Sequence, residues 1–345
     1  MHLMVQEIHE QPKVLQQIIK QEEAGIASIC EEIKARDIRF IIIAARGTSD
    51  NASTYAKYLF QINNGLPVAM AAPSLFTLYE ADIRMDNTLI IGVSQSGAAP
   101  DVISVVENAR QKGAMTIAIT NEEGSPLAVA AERAVYCRAG KELSVAATKT
   151  YTSQLAIFYL LSSLLKGDKE AVGRLASVGE KMERLFETEK DIECGCERYR
   201  YMNECMVIGR GMNYATALEM ALKLKETCYV VAEPFSAADL MHGPIALVEE
   251  GFPVILFALS GRTYPNMLQL TKDLNERKAE TIVISDMPEA LDLGKTAFRL
   301  PAIADEGLSP LVGIVAGQLF AYYLSYSKGY DPDKPRSLRK VTLTK

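Results

Sequence analysis

The run FIIIAARG, ending at Arg46-Gly47, returns as CMVIGRG, ending at Arg210-Gly211, 164 residues further on. Ser96-Gly97 of GVSQSG is answered by Ser260-Gly261 of LFALSG at the same spacing. Gln154-Leu155 with Tyr159-Leu160 likewise returns as Gln318-Leu319 with Tyr323-Leu324. Thr116 of MTIAIT and Thr281 of ETIVIS are 165 apart. Four landmarks at nearly one offset define an internal repeat. A length of 345 residues also exceeds ordinary single-domain size. The reading is two copies of one fold.

Each copy alternates short, β-branched runs with longer helical patterns. IRFIIIAA, TLIIGV and MTIAIT read as buried strands. DNASTYAKYLFQI and DVISVVENARQKG carry apolar residues at helical spacing, and the second stops at Lys112-Gly113. Such alternation predicts an α/β fold, with a parallel sheet flanked by helices in each copy. The segments expected are an N-terminal helical stretch at 1–35, a first domain at 36–165 and a helical connection at 166–198. A second domain follows at 199–328, and a Pro- and Lys-rich tail at 329–345 has no repeat partner.

Composition narrows the class. A 48% hydrophobic, 23% charged chain suits a well-buried globular enzyme. A net charge of −6 argues against a broad surface for nucleic acid or anionic membrane. Six cysteines without a framework pattern suggest free thiols in a reducing cytoplasm. The amphipathic start, MHLMVQEIHEQPKVLQQ, lacks the apolar block of a signal peptide. Gly307 to Ser327 is uncharged and long enough to span a bilayer, but it contains Ser309, Pro310, Gln318, Ser325 and Ser327. It reads as a buried core helix.

Ligands of parallel sheets gather beyond the carboxyl ends of the strands. There the first copy places ARGTSDN, SQSGAAPD and TNEEGSP. Gly47 allows a sharp turn, Thr48, Ser49 and Asp50 can cap the next helix, and Pro100 suits a first helical turn. Both loops offer amides and hydroxyls at positive helix ends, which favours an anion such as phosphate. The alternative is that they are only caps and turns. In the second copy GRGMNYA lacks the Thr-Ser pair, and LSGRTYP keeps one serine and gains Arg262. A phosphate site is therefore expected in the first copy.

The combination of GTS, SQSG and ELSVAATKTYTSQ with ALEMALKLKE and HGP resembles the double sugar-isomerase (SIS) domain family. It is most similar to the isomerase half of glucosamine-6-phosphate synthase and to stand-alone amino-sugar-phosphate deaminases and deglycases. The resemblance runs from about residue 5 to the C-terminus. It implies two tandem SIS domains, each a flavodoxin-like three-layer αβα sandwich. It further implies that Gly47, Thr48, Ser49, Ser94, Gln95 and Ser96, with the backbone around Val145 and Ala146, hold a sugar phosphate. Ala99 and Ala147 stand where the synthase pattern has Ser or Thr, so hydroxyl contacts are lost there. The synthase's glutaminase domain, with its nucleophilic cysteine, has no counterpart in these residues.

ALEMALKLKETCYVVAEPF reads as helical, and Glu219, Lys223, Glu226 and Val230 recur at i, i+4, i+7 and i+11, on one face of a pattern that is otherwise largely apolar. A solvated Glu–Lys face is the ordinary explanation. The apolar surroundings, and His242 in LMHGP soon after, favour a cleft. A lone histidine is more often structural than catalytic, and no clustered ligand set implies a metal. The family resemblance makes Glu226 the proton-transfer base and His242 the ring-opening group. It brings Lys340, in PRSLRK of the tail, to the open-chain carbonyl, with Arg339 beside the ligand. No metal or redox cofactor is expected. The reaction expected is isomerisation and deamination of glucosamine 6-phosphate to fructose 6-phosphate and ammonia. The rivals are a fructosamine-6-phosphate deglycase, a non-catalytic phosphosugar sensor, and the aminating half of a two-chain synthase. By resemblance the chain forms a homodimer in which His242 completes the partner's site.

Overall fold

The computed structural model describes residues 2–338 and residue 340. The chain opens with helices α1 (Leu3–His9) and α2 (Gln11–Ala35), then strand β1 (Phe40–Ala44) and α3 (Thr48–Asn64). Next come β2 (Val68–Met70), α4 (Ser74–Thr77), β3 (Thr88–Val93) and α5 (Pro100–Gln111). β4 (Met115–Thr120), α6 (Pro126–Ala130) and β5 (Arg133–Tyr136) complete a first sheet. Three helices follow, α7 (Lys149–Lys166), α8 (Ala171–Glu187) and α9 (Glu189–Glu197). The second half runs β6 (Glu204–Gly209), α10 (Asn213–Lys223), a π-helical turn at Leu224–Cys228, β7 (Val231–Ser236) and α11 (Ala237–Met241). It continues with β8 (Pro253–Phe257), α12 (Tyr264–Glu276), β9 (Glu280–Ser285), α13 (Pro288–Leu293), β10 (Thr296–Arg299) and α14 (Ser309–Ser327).

Both sheets are five-stranded and parallel. Their orders, β2-β1-β3-β4-β5 and β7-β6-β8-β9-β10, are the same topology written twice. With helices on the sheet faces, each is a three-layer α/β fold. The chain partitions into two compact units. One comprises residues 13–142 and 149–176 with Lys340; the other comprises residues 2–12, 143–148 and 177–338.

In the first unit the core lies where β3 and β4 meet α5 and α6. Ile90, Val102, Val105, Val106, Ala118 and Leu127 are all fully enclosed. Every residue of β3 and of β4 is buried, as their near-continuous apolar sequences require of central parallel strands. In the second unit Ile208, Leu256, Met267, Leu274 and Val283 form the equivalent core. Each of these Val, Leu, Ile and Met side chains contributes about 1.5–3 kcal/mol by leaving water. The uncharged C-terminal run lies in α14, which is apolar on all sides. Over Glu306–Ser327 its most apolar window is 94% buried inside the fold, so it is a core helix.

Candidate active site

β1 and β3 are neighbours, but β1 connects outward to β2 on one side, and β3 to β4 on the other. At such a switch point the loops leaving the carboxyl ends diverge and open a crevice. The two loops predicted to cradle phosphate are the ones found here. After β1, Gly47 is the N-cap of α3, and no side chain caps that helix. The expectation that Thr48, Ser49 or Asp50 would cap is therefore corrected: α3 starts at Thr48 itself, so all three residues lie inside its first turn. Ser49 is buried; its N–H donates to Arg46 O at 3.1 Å, and its Oγ accepts from Gln154 Nε2 at 3.0 Å.

After β3, the Ser94–Gly97 loop is fastened on three sides. Ser94 N–H donates to Ile119 O at 3.0 Å, Asn121 N–H to Gln95 O at 3.0 Å and Leu127 N–H to Gly97 O at 2.9 Å. Gly97 has φ +61°, and a Cβ there would lie 2.1 Å from Ser125 Oγ, so only glycine fits. These bonds fix the loop before any ligand arrives. α5 then begins at Pro100 without a side-chain cap. Across the switch point Arg46 Nε donates to the buried Asp101 carboxylate at 2.6 Å. Burial pushes the neighbouring Asp50 carboxyl above its ordinary value, and Arg46 pulls it partly back.

The corresponding switch point of the second unit is spent internally. Ser260 N–H donates to Asp286 at 2.8 Å, its hydroxyl donates to the same carboxylate, and Arg262 N–H donates to Glu306 at 3.0 Å. Donors that could face an anion here already face carboxylates of the same chain.

The acidic stripe departs from simple helical geometry. α10 ends at Lys223, and Glu226 lies in the π-helical turn that follows. Single π turns concentrate at functional sites because they reorient a side chain within an otherwise regular helix. Here the wider turn is held from α14, where Ser325 Oγ donates to Thr227 O at 2.8 Å and Cys228 Sγ to Ala321 O at 3.1 Å. Tyr229, in the left-handed region at φ +56°, ends it. Glu219 and Lys223 are wholly enclosed rather than solvated, while Glu226 keeps 23% side-chain exposure. Lys223 Nζ lies 3.3 Å from Glu219 and 2.6 Å from Glu226. Burial by itself would lower the Lys223 ammonium, but the two carboxylates outweigh it and raise it above its ordinary range. The ammonium thus braces the one carboxylate of the three groups that reaches solvent. The bracing role of Lys223 is not evident from composition or from the family resemblance. The usable signal was a lysine with carboxylates at i−4 and i+3 in an apolar helix.

His242 occupies an exposed turn after α11, its N–H donating to Asp239 O at 3.1 Å. No hydrogen bond joins it to Glu226 among the described residues. Val145 and Ala146 belong to the short 143–148 segment of the second unit, where Glu7 accepts the Ser144 N–H at 3.2 Å. Lys340 is not a frayed end: its Nζ lies 2.8 Å from the buried Glu142 carboxylate, which also accepts the Thr150 N–H and hydroxyl. Just upstream, Asp333 accepts the Leu3 and Met4 amides at 2.7 and 2.9 Å, and Arg336 stacks over Tyr229 at 4.3 Å. Arg339 lies outside the described residues.

A serine-lined loop thus stands at the switch point of the first unit, and a carboxylate braced by an enclosed lysine stands in the second. The SIS domain matches residues 35–164 and again 202–327, and the chain belongs to that family. It is 38% identical over 342 residues to glutamine–fructose-6-phosphate aminotransferase (isomerizing) of Methanothermobacter thermautotrophicus. That alignment covers 98% of this chain and 57% of the relative, so the chain spans little more than half of the relative's length. The C-terminal domain of glucosamine-fructose-6-phosphate aminotransferase from Francisella tularensis superposes with TM-score 0.88 at 26% identity, covering 97% of this chain and 98% of that one. Glucosamine-6-phosphate deaminase from Thermotoga maritima superposes with TM-score 0.79 at 20% identity, covering 99% and 100%, a likeness of fold.

Proposed function

We propose that this chain isomerises and deaminates an amino sugar phosphate, converting glucosamine 6-phosphate and water to fructose 6-phosphate and ammonia. The observation that carries the reading is Glu226, presented on a π turn and braced by an enclosed lysine. The Ser49 and Ser94–Ser96 loops take the phosphoryl group, which tethers the far end of a flexible open chain. His242 assists ring opening. Glu226 removes the C2 proton and returns it to C1, giving a 2-imino sugar. Water adds to that imine, ammonia leaves, and the ketose remains. Lys340 meets the open-chain carbonyl, with Arg339, Val145 and Ala146 beside the sugar. The exposed His242 turn supports a homodimer in which this histidine serves the partner's site. Six unpaired cysteines, five of them buried, fit a cytoplasmic setting.

A second reading is favoured by the 38% identity to an aminotransferase: the chain is an aminating isomerase that runs the reverse reaction on supplied ammonia. One assay separates these. The protein is incubated with glucosamine 6-phosphate, and ammonia and fructose 6-phosphate are measured, then the reverse mixture is tested. Ammonia release that falls by about 10²–10⁴-fold in Glu226→Gln supports the deaminase. Net synthesis from fructose 6-phosphate and ammonia, without measurable release, supports the aminating enzyme. Turnover only of N-substituted fructosamine 6-phosphates would make it a deglycase, and binding without turnover a sensor.

A further inference from the structure

Gln154 and Gln318 are the same residue of the repeat, and both are wholly buried. Gln318 is satisfied at both ends: its Nε2 donates to Thr148 O at 3.2 Å, and its Oε1 accepts from Gln11 at 3.0 Å. Gln154, on α7, differs. Its Nε2 donates to Ser49 Oγ at 3.0 Å, and its Oε1 has no hydrogen-bond partner among the described residues. A fold rarely leaves a buried amide oxygen unpaired without some compensating use. Rotating the amide would let the oxygen take the Ser49 proton but leave both N–H groups without a partner, where the orientation found keeps one N–H paired.

The orientation found has a chemical consequence. A serine hydroxyl carries one proton. When its oxygen accepts from Gln154, that proton is left for another acceptor. Ser49 stands at the start of α3 beside the switch point, where its backbone N–H is already engaged by Arg46 O. Its hydroxyl is therefore the polar group it can offer to a phosphoryl oxygen.

We propose that Gln154 is a positioning residue for phosphate recognition: it holds Ser49 Oγ as an acceptor, so that the Ser49 O–H donates to the ligand. This rests on the reading of the first switch point as a phosphate cradle. The second copy supports the assignment by contrast, since Asn213 replaces Ser49 there and Gln318 turns to other partners.

The test is calorimetric titration with fructose 6-phosphate, and separately with inorganic phosphate, on wild type, Gln154→Met, Gln154→Glu, Ser49→Ala and the Ser49→Ala/Gln154→Met double variant. Gln154→Met keeps the volume but removes the donor, and is expected to weaken binding of both ligands about tenfold. In the Ser49→Ala background the same change should alter affinity less than about twofold, because nothing remains to orient. Gln154→Glu should weaken binding more at pH 7.5 than at pH 5.5, relative to wild type at each pH. An ionised carboxylate can only accept and takes the Ser49 proton, whereas a protonated one donates as the amide does. Equal losses from Gln154→Met in both backgrounds, or a Gln154→Glu ratio independent of pH, overturns the inference and leaves the cradle intact. Failure of the wild type to bind either ligand overturns the cradle reading itself. Should the Met variant not fold, the pH ratio of the Glu variant decides.

Discussion

Replacing Lys223 by Met tests whether the enclosed ammonium holds the acidic pair together. At an effective dielectric of about 20, its attraction to Glu219 at 3.3 Å is about 5 kcal/mol, and to Glu226 at 2.6 Å about 6 kcal/mol. Burying the ammonium offsets much of that gain. What the substitution exposes is the cost of two carboxylates left close together, one of them fully enclosed. Removing one member of a buried ion pair typically costs about 3–5 kcal/mol. For a unit of this size that is a fall in Tm of roughly 6–20 °C. The sign with pH is opposite to ordinary acid denaturation. Without the lysine, two carboxylates stand close together with one of them fully enclosed, so a proton taken up by either relieves their repulsion in the folded state. The stability then recovers as pH falls toward 5 and is lost as pH rises. Thermal melts of wild type, Lys223→Met and Lys223→Met/Glu219→Gln between pH 5 and 8 measure this, and the double variant should regain part of the loss. A Lys223→Met melt within about 2 °C of wild type, with the same pH slope, would refute the reasoning.

Other expectations follow from single sites. Gly97→Ala forces a Cβ against Ser125 in left-handed backbone; it should cost about 1–3 kcal/mol and weaken fructose 6-phosphate binding, read by melting and titration. Asp50→Asn should raise Tm at pH 7 and tighten phosphate binding, since burial disfavours the ionised acid. Because its folded value lies above the unfolded one, the Tm advantage should vanish below about pH 4. For Glu189, burial raises the carboxyl, but hydrogen bonds from His9 and Tyr323 lower it further, to below its ordinary value. Its contribution is present above the unfolded value of about 4.3 and lost as pH falls through the folded one, so Glu189→Gln should flatten the acid limb of a melt series.

Much of the architecture was legible because buried parallel strands announce themselves. TLIIGV, MTIAIT and ETIVIS coincide with β3, β4 and β9, and the repeat offset predicted that both sheets share one topology. The edge strands β2, β5 and β10 escaped notice, since each has only three or four residues and lacks a continuous apolar run. The edge strand β7 corrects the helical reading of ALEMALKLKETCYVVAEPF: the helix gives way to the π turn, Tyr229 breaks it in left-handed backbone, and Val231–Ser236 pairs with β6. The π turn was illegible for another reason. LKETC has ordinary helical composition, and the wider turn is imposed by Ser325 and Ala321, about 100 residues away in sequence. The serine loops were legible as the loops beyond the carboxyl ends of β1 and β3, yet the capping role given to Thr48–Asp50 was wrong, because capping depends on the residue at which the helix starts. Gln154 could be seen only as a repeat landmark. Its difference from Gln318 lies in partners, not in the residue.

The carboxylates of Asp286 and Glu306, seated on the backbone of the second switch point, act as a built-in surrogate for a bound anion. That domain can reach its working shape with nothing added. Duplication thus gives the two switch points different partners, carboxylates of the same chain in the second and backbone groups around Ser94–Gly97 in the first. Saturating sugar phosphate should accordingly slow amide exchange around Ser94–Ser96 and leave that around Ser260–Arg262 nearly unchanged.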